Sequence, residues 1–508
     1  MRFITYWLGS CLILLFVGCK EVVTDSSASE KDLNILVQQQ CGRCHAVPDP
    51  SDLDRITWQN HVLPRMGYFM GRYDAAHPRA SLIESDVPEI EQQGIFPEKA
   101  TIDEADWNRI TDYYLANAPQ RLQSDTLQFS GQQQTFQPHF PSLFLSPPGS
   151  LLTRFSPSGG YFIADVHKEQ LLFSDGQHQL RAGFPATGGI VDIQTEPDRL
   201  VLTSIGSFSP TDRADGSILT LDLTHSSSTP ESLISGLQRP VQCLSTDMNG
   251  DGRLDLVIPE FGKWTGGLSW WEQLEDGSYE EHSLRAVSGA LRVAIDDLNG
   301  DQLPDIIALF GQGNEGFWAY YNQGNGQFKE QLLFRLPPSY GSSFFTLTDW
   351  DQDGLADILY TNGDNADYTP IIKPYHGIHL YTQQSAGIFE ETWFLALPGA
   401  YQARMADFNL DGYQDIVAIS FFPDFQRQPE QSIVLFQGEA NAKFSPKHFS
   451  QAKAGRWITM DVADNDRDGD YDLLIGSMAF EVVPPVGLLE QWINNGLGWV
   501  YFENLTKK

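Results

Sequence analysis

Five stretches of this chain repeat one spacing of oxygen-bearing side chains. They are Asp247, Asn249, Asp251 and Asp255; Asp297, Asn299, Asp301 and Asp305; Asp349, Asp351, Asp353 and Asp357; Asp407, Asn409, Asp411 and Asp415; and Asp464, Asp466, Asp468 and Asp472. Carboxylate or amide oxygens at loop positions 1, 3, 5 and 9, with Gly at position 6 in four of the five copies, form the ladder that wraps a hard cation such as calcium. An EF-hand would add a bidentate Glu at position 12 between helices. Here position 12 is Ile258, Ala308, Tyr360, Ala418 or Ile475, and the flanking residues are β-formers, so each loop reads as a strand-to-strand turn. Up to five calcium ions are expected, the plainer alternative being acidic turns without metal. The second copy departs most, with Gln302 in place of Gly and Pro304 close by.

A second motif carries different chemistry. Cys41-Gly-Arg-Cys44-His45 is the attachment sequence for one covalent c-type haem, with two thioethers to the porphyrin and His45 as proximal iron ligand. A redox or zinc CxxC with an incidental His is the alternative, but no second CxxC completes a zinc site. For the sixth ligand the stretch 63–71 offers Met66 and Met70, with His61 nearby. Met66, just after Pro64, is the preferred candidate, and Met70 packs against the porphyrin in that reading.

These motifs need a compartment and a scaffold. Arg2 followed by the apolar run Phe3 to Val17 is too short to span a bilayer and reads as an export signal. The junction Phe16-Val17-Gly18-Cys19 resembles a bacterial lipobox, making Cys19 the acylated first residue of an envelope protein that faces the periplasm or the cell surface. The expected organisation is a signal peptide over 1–18, a tether over 19–30, a small all-α monohaem cytochrome over 31–122, a linker over 123–140 and a β-rich domain over 141–508. In the helical part, helices are expected over 30–44, 52–62 and 101–115, the last placing Trp107, Ile110 and Tyr114 on one face. Cys243, in an expected strand, reads as a buried free thiol. With 66 acidic against 33 basic residues the chain carries a formal charge of -33, which argues against nucleic-acid or anionic-lipid partners.

The first residues of successive acidic loops lie 50, 52, 58 and 57 positions apart, a repeat period. Each loop is followed by an apolar strand and a hairpin, four strands per repeat, which is the arithmetic of a propeller blade. The fourth-repeat hairpin starts at Ile433, and the last is expected over Leu488 to Ile493 with a turn at Asn495-Gly496. Two further repeats, near 159–173 and 189–202, lack the acidic loop, bringing the count to seven blades. The five loops resemble FG-GAP (integrin-like, VCBS-type) calcium repeats, from about Val241 onward. The whole layout, including the Leu63-Pro64-Arg65-Met66-Gly67 segment, resembles exported cytochrome c and FG-GAP fusion lipoproteins of environmental bacteria. That resemblance implies haem binding and electron transfer and names no substrate.

If the acidic loops share one propeller face, the second-to-third strand connections share the other. The longest of these, 362–376, suggests a small-molecule pocket at the mouth of the central channel using Asp364, Lys373, Tyr375 and His376. A well-packed long loop is the alternative. Two functions follow: a redox protein passing electrons between the haem and a docked partner or small-molecule donor, or an adhesion or scaffold propeller with an accessory haem domain. Whether the chain is itself an enzyme is open at this point.

Overall fold

The computed structural model describes residues 26–43, 45–84, 86–225, 228–365, 371–480 and 486–507. Seven antiparallel sheets follow one another along the chain from residue 150, making a seven-bladed β-propeller. Blades 1 to 6 span 150–185, 190–237, 244–285, 290–335, 342–396 and 400–448. Each runs in simple up-and-down order from the channel outward. Blade 7 holds only three strands from the C-terminal part, Trp457–Ala463, Asp472–Ser477 and Trp499–Asn504. Its outer strand is Phe136–His139, paired antiparallel with Trp499–Asn504.

The physical reason for a closed ring lies in the middle strands. Asp305–Phe310 and Gly316–Asn322 are buried along their whole length, whereas the outer strand Phe328–Arg335 alternates half-buried and exposed positions. A blade with two apolar faces cannot bury them alone and must stack between neighbours. Seven apolar clusters do this, one at each blade-to-blade junction. The junction of blades 4 and 5, for example, joins Ile307, Phe317, Phe345 and Tyr360, and the ring-closing one between blades 7 and 1 joins Leu474, Trp499, Tyr161 and Ile163.

Two expectations meet a different structure. The stretch 123–140, expected as linker, contributes two strands: Gly131–Gln132 lies parallel to the edge of blade 6, and Phe136–His139 closes blade 7. Phe136 is buried against Phe408 and Phe449, 5.5 and 5.9 Å between ring centres. The segment Leu488–Asn495, expected as a strand, is a helix ended by Gly496 at φ 58°. Its apolar residues Leu488, Leu489, Trp492 and Ile493 fall on one helical side, and no strand is needed there because residues 136–139 already fill the outer position.

Ahead of the propeller lies a helical segment. Ser26–Cys41 and Glu104–Asn117 are its two long helices, the second capped by Asp103, whose carboxylate accepts the Asp106 N–H. The first begins within the expected tether. The middle helix is a string of short turns rather than one element: Arg55–Thr57, a π-helical turn Trp58–Val62, and Leu63–Phe69. Trp58 and Tyr114 pack with ring centres 4.5 Å apart, and both donate to carbonyls of the preceding loop, at Pro50 and Pro48. No helix among the described residues is long and apolar enough to cross a membrane.

Candidate functional site

The five acidic loops join the first and second strands of blades 3 to 7, so all five open on one face of the propeller. Their backbone is nearly identical. Positions 4 and 6 of every loop have positive φ, including Gln302 at 68° where the other loops have Gly, so the second copy keeps the turn despite its substitution. In that copy Asp297 accepts the N–H groups of Gly300, Asp301 and Gln302 at 2.7 to 3.0 Å, matching Asp247 with Gly250, Asp251 and Gly252 in the first.

The four oxygen-bearing positions divide into two kinds. Positions 1, 3 and 5 are exposed or half-buried. In the two loops with Asp at position 3, the carboxylates of Asp349, Asp351 and Asp353, and of Asp464, Asp466 and Asp468, come within 4.8 Å of one another. Asp464 Oδ1 is moreover buried without a hydrogen-bond partner. In the other three loops Asn249, Asn299 and Asn409 stand at position 3, lowering the charge of the group. Position 9 is buried in all five and works as a clamp. Asp255 accepts the N–H of Met248 and of Gln273; Asp305 those of Leu298 and Asn322; Asp357 those of Trp350 and Gln383; Asp415 those of Phe408 and Gly438; Asp472 those of Asn465 and Asn504. This carboxylate therefore ties the loop to the third strand. Burial pushes Asp305, Asp415 and Asp472 up to about 6. A clamp oxygen that accepts one N–H keeps a second lone pair that a cation held by positions 1, 3 and 5 could share, whereas Asp472 Oδ2 also accepts from Tyr501 Oη at 2.6 Å.

On the helical segment, Cys41 ends the first helix and packs on an apolar cluster formed by Leu36, Val37, Trp58, Met70, Ile110 and Tyr114. Met66 packs on the same cluster, half-buried, while Met70 is 7% exposed. His45 Nδ1 lies 2.7 Å from the carbonyl oxygen of Ala46, a bond that fixes Nδ1 as the protonated nitrogen and leaves Nε2 able to bind metal. Cys44 and Cys19 lie outside the described residues. Cys243 is a buried free thiol, as expected, and burial raises its pKa far above the usual range.

The face opposite the acidic loops is covered by the helical segment. Asp52 accepts from Ser339 Oγ at 3.0 Å, and its carbonyl accepts from Tyr375 Oη at 2.9 Å. Glu84 accepts from Thr211 and pairs with Lys263 at 2.9 Å; Asp86 pairs with Arg213 at 2.8 Å. Phe69 and Phe96 pack edge-on against Trp264, and the His45 ring lies against Gly313. The docking surface thus draws on blades 2 to 5, using their second-to-third and blade-to-blade connections.

The 362–376 loop reaches this contact through Tyr375. Residues 366–370 lie outside the described part. Of the four proposed pocket residues, Tyr375 bonds to the helical segment, Lys373 is 8% exposed and donates to the Ser339 carbonyl, and His376 is 1% exposed with Nε2 unpartnered. Asp364 is half-buried beside Gly341, its N–H donating to that carbonyl. Tyr375 thus joins this connection to the helical segment, while Lys373 and His376 are buried within it. Sequence reasoning missed their neighbour Glu315, buried, accepting the Ser342 N–H at 2.6 Å, and pushed up to about 8 by burial. No local pattern marks it, because its surroundings come from residues 27 and more positions away.

Two overlapping stretches, 247–308 and 297–360, match the family described as FG-GAP-like repeat. Among solved structures, virginiamycin B lyase from Staphylococcus aureus aligns over 73% of this chain and 99% of its own at 11% identity and a TM-score of 0.46. A streptogramin B lyase aligns over 73% and 97% at 11% identity and a TM-score of 0.43. The chain is a seven-bladed β-propeller that carries FG-GAP-like repeats.

Proposed function

We propose that this chain is an envelope electron-transfer protein: a lipid-anchored monohaem cytochrome c over 31–122 whose FG-GAP propeller is stabilised by calcium. The observation that carries the haem reading is the meeting, in one apolar cluster, of Cys41 with both candidate thioethers, Met66 and Met70, at the end of the helix that leads to His45. The donor set fits a covalent haem: thiols at 41 and 44, an imidazole whose Nδ1 is already engaged, and a half-buried thioether. A haem held there would supply one-electron redox chemistry, with Met66 raising its potential relative to a second His.

The chain's own residues would do the rest. The Ala46 carbonyl orients His45, the Trp58 and Tyr114 pair excludes water from one side, and the Glu84 and Asp52 contacts hold the helical segment on the propeller. Calcium is favoured at positions 1, 3 and 5 because three close carboxylates repel one another unless a cation sits among them. A redox partner or small-molecule donor remains the counterpart of the haem, and the acylated Cys19 would attach the protein to the membrane.

The test is the visible spectrum of the full chain expressed with haem-maturation machinery. A covalent c-type spectrum that survives denaturation, lost in Cys41→Ala, is expected. Absence of covalent haem in the matured, folded chain overturns the cytochrome reading. Changing Met66→Ala should lower the reduction potential; an unchanged potential moves the sixth ligand to Met70 or His61.

A further inference from the structure

The central channel carries a charge imbalance that the FG-GAP loops and the helical segment do not use. Alternate residues of a first strand face the channel, and five charged side chains meet there from five blades: Arg154, Asp192, Arg292, Arg404 and Asp461. Three positive charges stand against two negative. Both carboxylates are already committed to one partner, since Arg154 lies 2.7 Å from Asp192 and 3.9 Å from Asp461. They also accept backbone N–H groups of the following blade, Asp461 from Phe155 at 2.8 Å and Asp192 from Cys243 at 3.3 Å.

Arg292 and Arg404 are left without a carboxylate at ion-pair distance among the described residues. Both guanidinium groups lie against the ring of Phe344, 4.0 and 4.3 Å from its centre, so one side chain of the intervening blade 5 contacts both. Their hydrogen bonds go to main-chain carbonyls only: Arg292 Nε to Phe345 at 2.9 Å, and Arg404 to Ala403 and Met460 at 3.3 and 3.4 Å. A guanidinium has five N–H donors, so most remain for another acceptor. The side chains are enclosed by the blades but reached by water, Arg154 keeping 36% of its side-chain surface, as befits groups that line a channel. Burial and the Arg404 charge push Arg292 down to about 9, with Asp192 and Asp461 opposing.

The geometry points to a binding site for one small monovalent oxyanion, a carboxylate of formate or acetate size, held between Arg292 and Arg404 beside Phe344. A single negative charge restores the balance of the five groups. A planar carboxylate matches the guanidinium fork, and the two arginines offer it donors from two blades. This site is independent of the haem and calcium readings and ties blade 4 to blade 6 across the channel.

The experiment uses the full chain at fixed calcium and fixed ionic strength, with gluconate as the bulky background anion. Titration with 13C-labelled formate is read by line broadening and by melting temperature. Saturable binding in the millimolar range or tighter, with a rising melting temperature, is expected, and Arg292→Gln and Arg404→Gln should each abolish it while leaving the circular dichroism unchanged. No saturable effect of formate or acetate on the wild-type chain overturns the site, as does unaltered binding in either folded variant. Should both glutamine variants unfold, Arg404→Lys decides: keeping the charge but losing the fork, it should weaken formate binding about tenfold, and unchanged affinity defeats the proposal.

Discussion

The two faces of the propeller are built on opposite plans. The acidic face is made five times over from one nine-residue loop, shaped by hydrogen bonds within the loop and its own hairpin and, at Met248, Leu298 and Phe408, by a side-chain bond from the next blade. The covered face is made once, from connections of unequal length, and its contacts join residues as far apart as Asp52 and Tyr375. Repetition on one face lets each loop fold on local instruction. Irregularity on the other lets a separate helical segment find one seat.

That contrast can be broken most sharply at ring closure. Phe136 belongs to neither plan: it is a distant residue that completes a repeated element. Phe136→Ala should cost about 4 kcal/mol, the usual range for a buried Phe, and unfold the whole ring cooperatively in a denaturant melt; a change below 1 kcal/mol would mean that residues 136–139 are dispensable to blade 7.

Within the acidic face, the clamp and the outer positions should separate. Asp415→Ala strands the N–H groups of Phe408 and Gly438 and is expected to cost about 3 kcal/mol even in the presence of chelator. Asp411, exposed in the same loop, should cost under about 1 kcal/mol as Asp411→Ala in the presence of chelator, but should weaken the calcium-induced rise in melting temperature. Equal behaviour of the two variants in chelator would erase the distinction, and a wild-type melt indifferent to a strong chelator would remove calcium from all five loops.

On the covered face the smallest effect is a pH dependence. Glu315 is raised to about 8 by burial, with Lys373 opposing and Asp364 adding to the rise. An acid whose pKa is higher folded than unfolded binds its proton preferentially in the fold, so its contribution is complete below about 4.5 and is lost as pH rises through about 8. Glu315→Gln should flatten that limb, leaving the variant about two degrees more stable than wild type at the alkaline end. A wild-type and variant difference that is constant across the window would show Glu315 to be charged in the fold.

The acidic face was legible because its information is periodic. Position 9 belongs to the repeated spacing, yet its burial and its grip on the third strand follow from pairing that spacing does not display. Gln302 looked like a defect in the sequence and is accommodated at φ 68° by the same N–H bond to Asp297 that Gly makes elsewhere. The segment Leu488–Asn495 was misread because a run of apolar residues suits a strand or a helix, and the choice was made by a strand supplied from 350 residues away. In the 362–376 loop the bond from Tyr375 to Asp52 spans more than three hundred positions and has no signature in the loop's own composition.

By itself the sequence determined the period of the repeats, the turn chemistry of the five loops and the alternation of buried strands, since each rests on bonds between near neighbours and on the propensities of single residues. Only the tertiary structure decided where the ring closes, what covers its far face, and that three arginines and two aspartates from separate blades share one channel. Those outcomes depend on closing loops of tens to hundreds of residues, where the free energy belongs to the assembled ring and not to any segment of it.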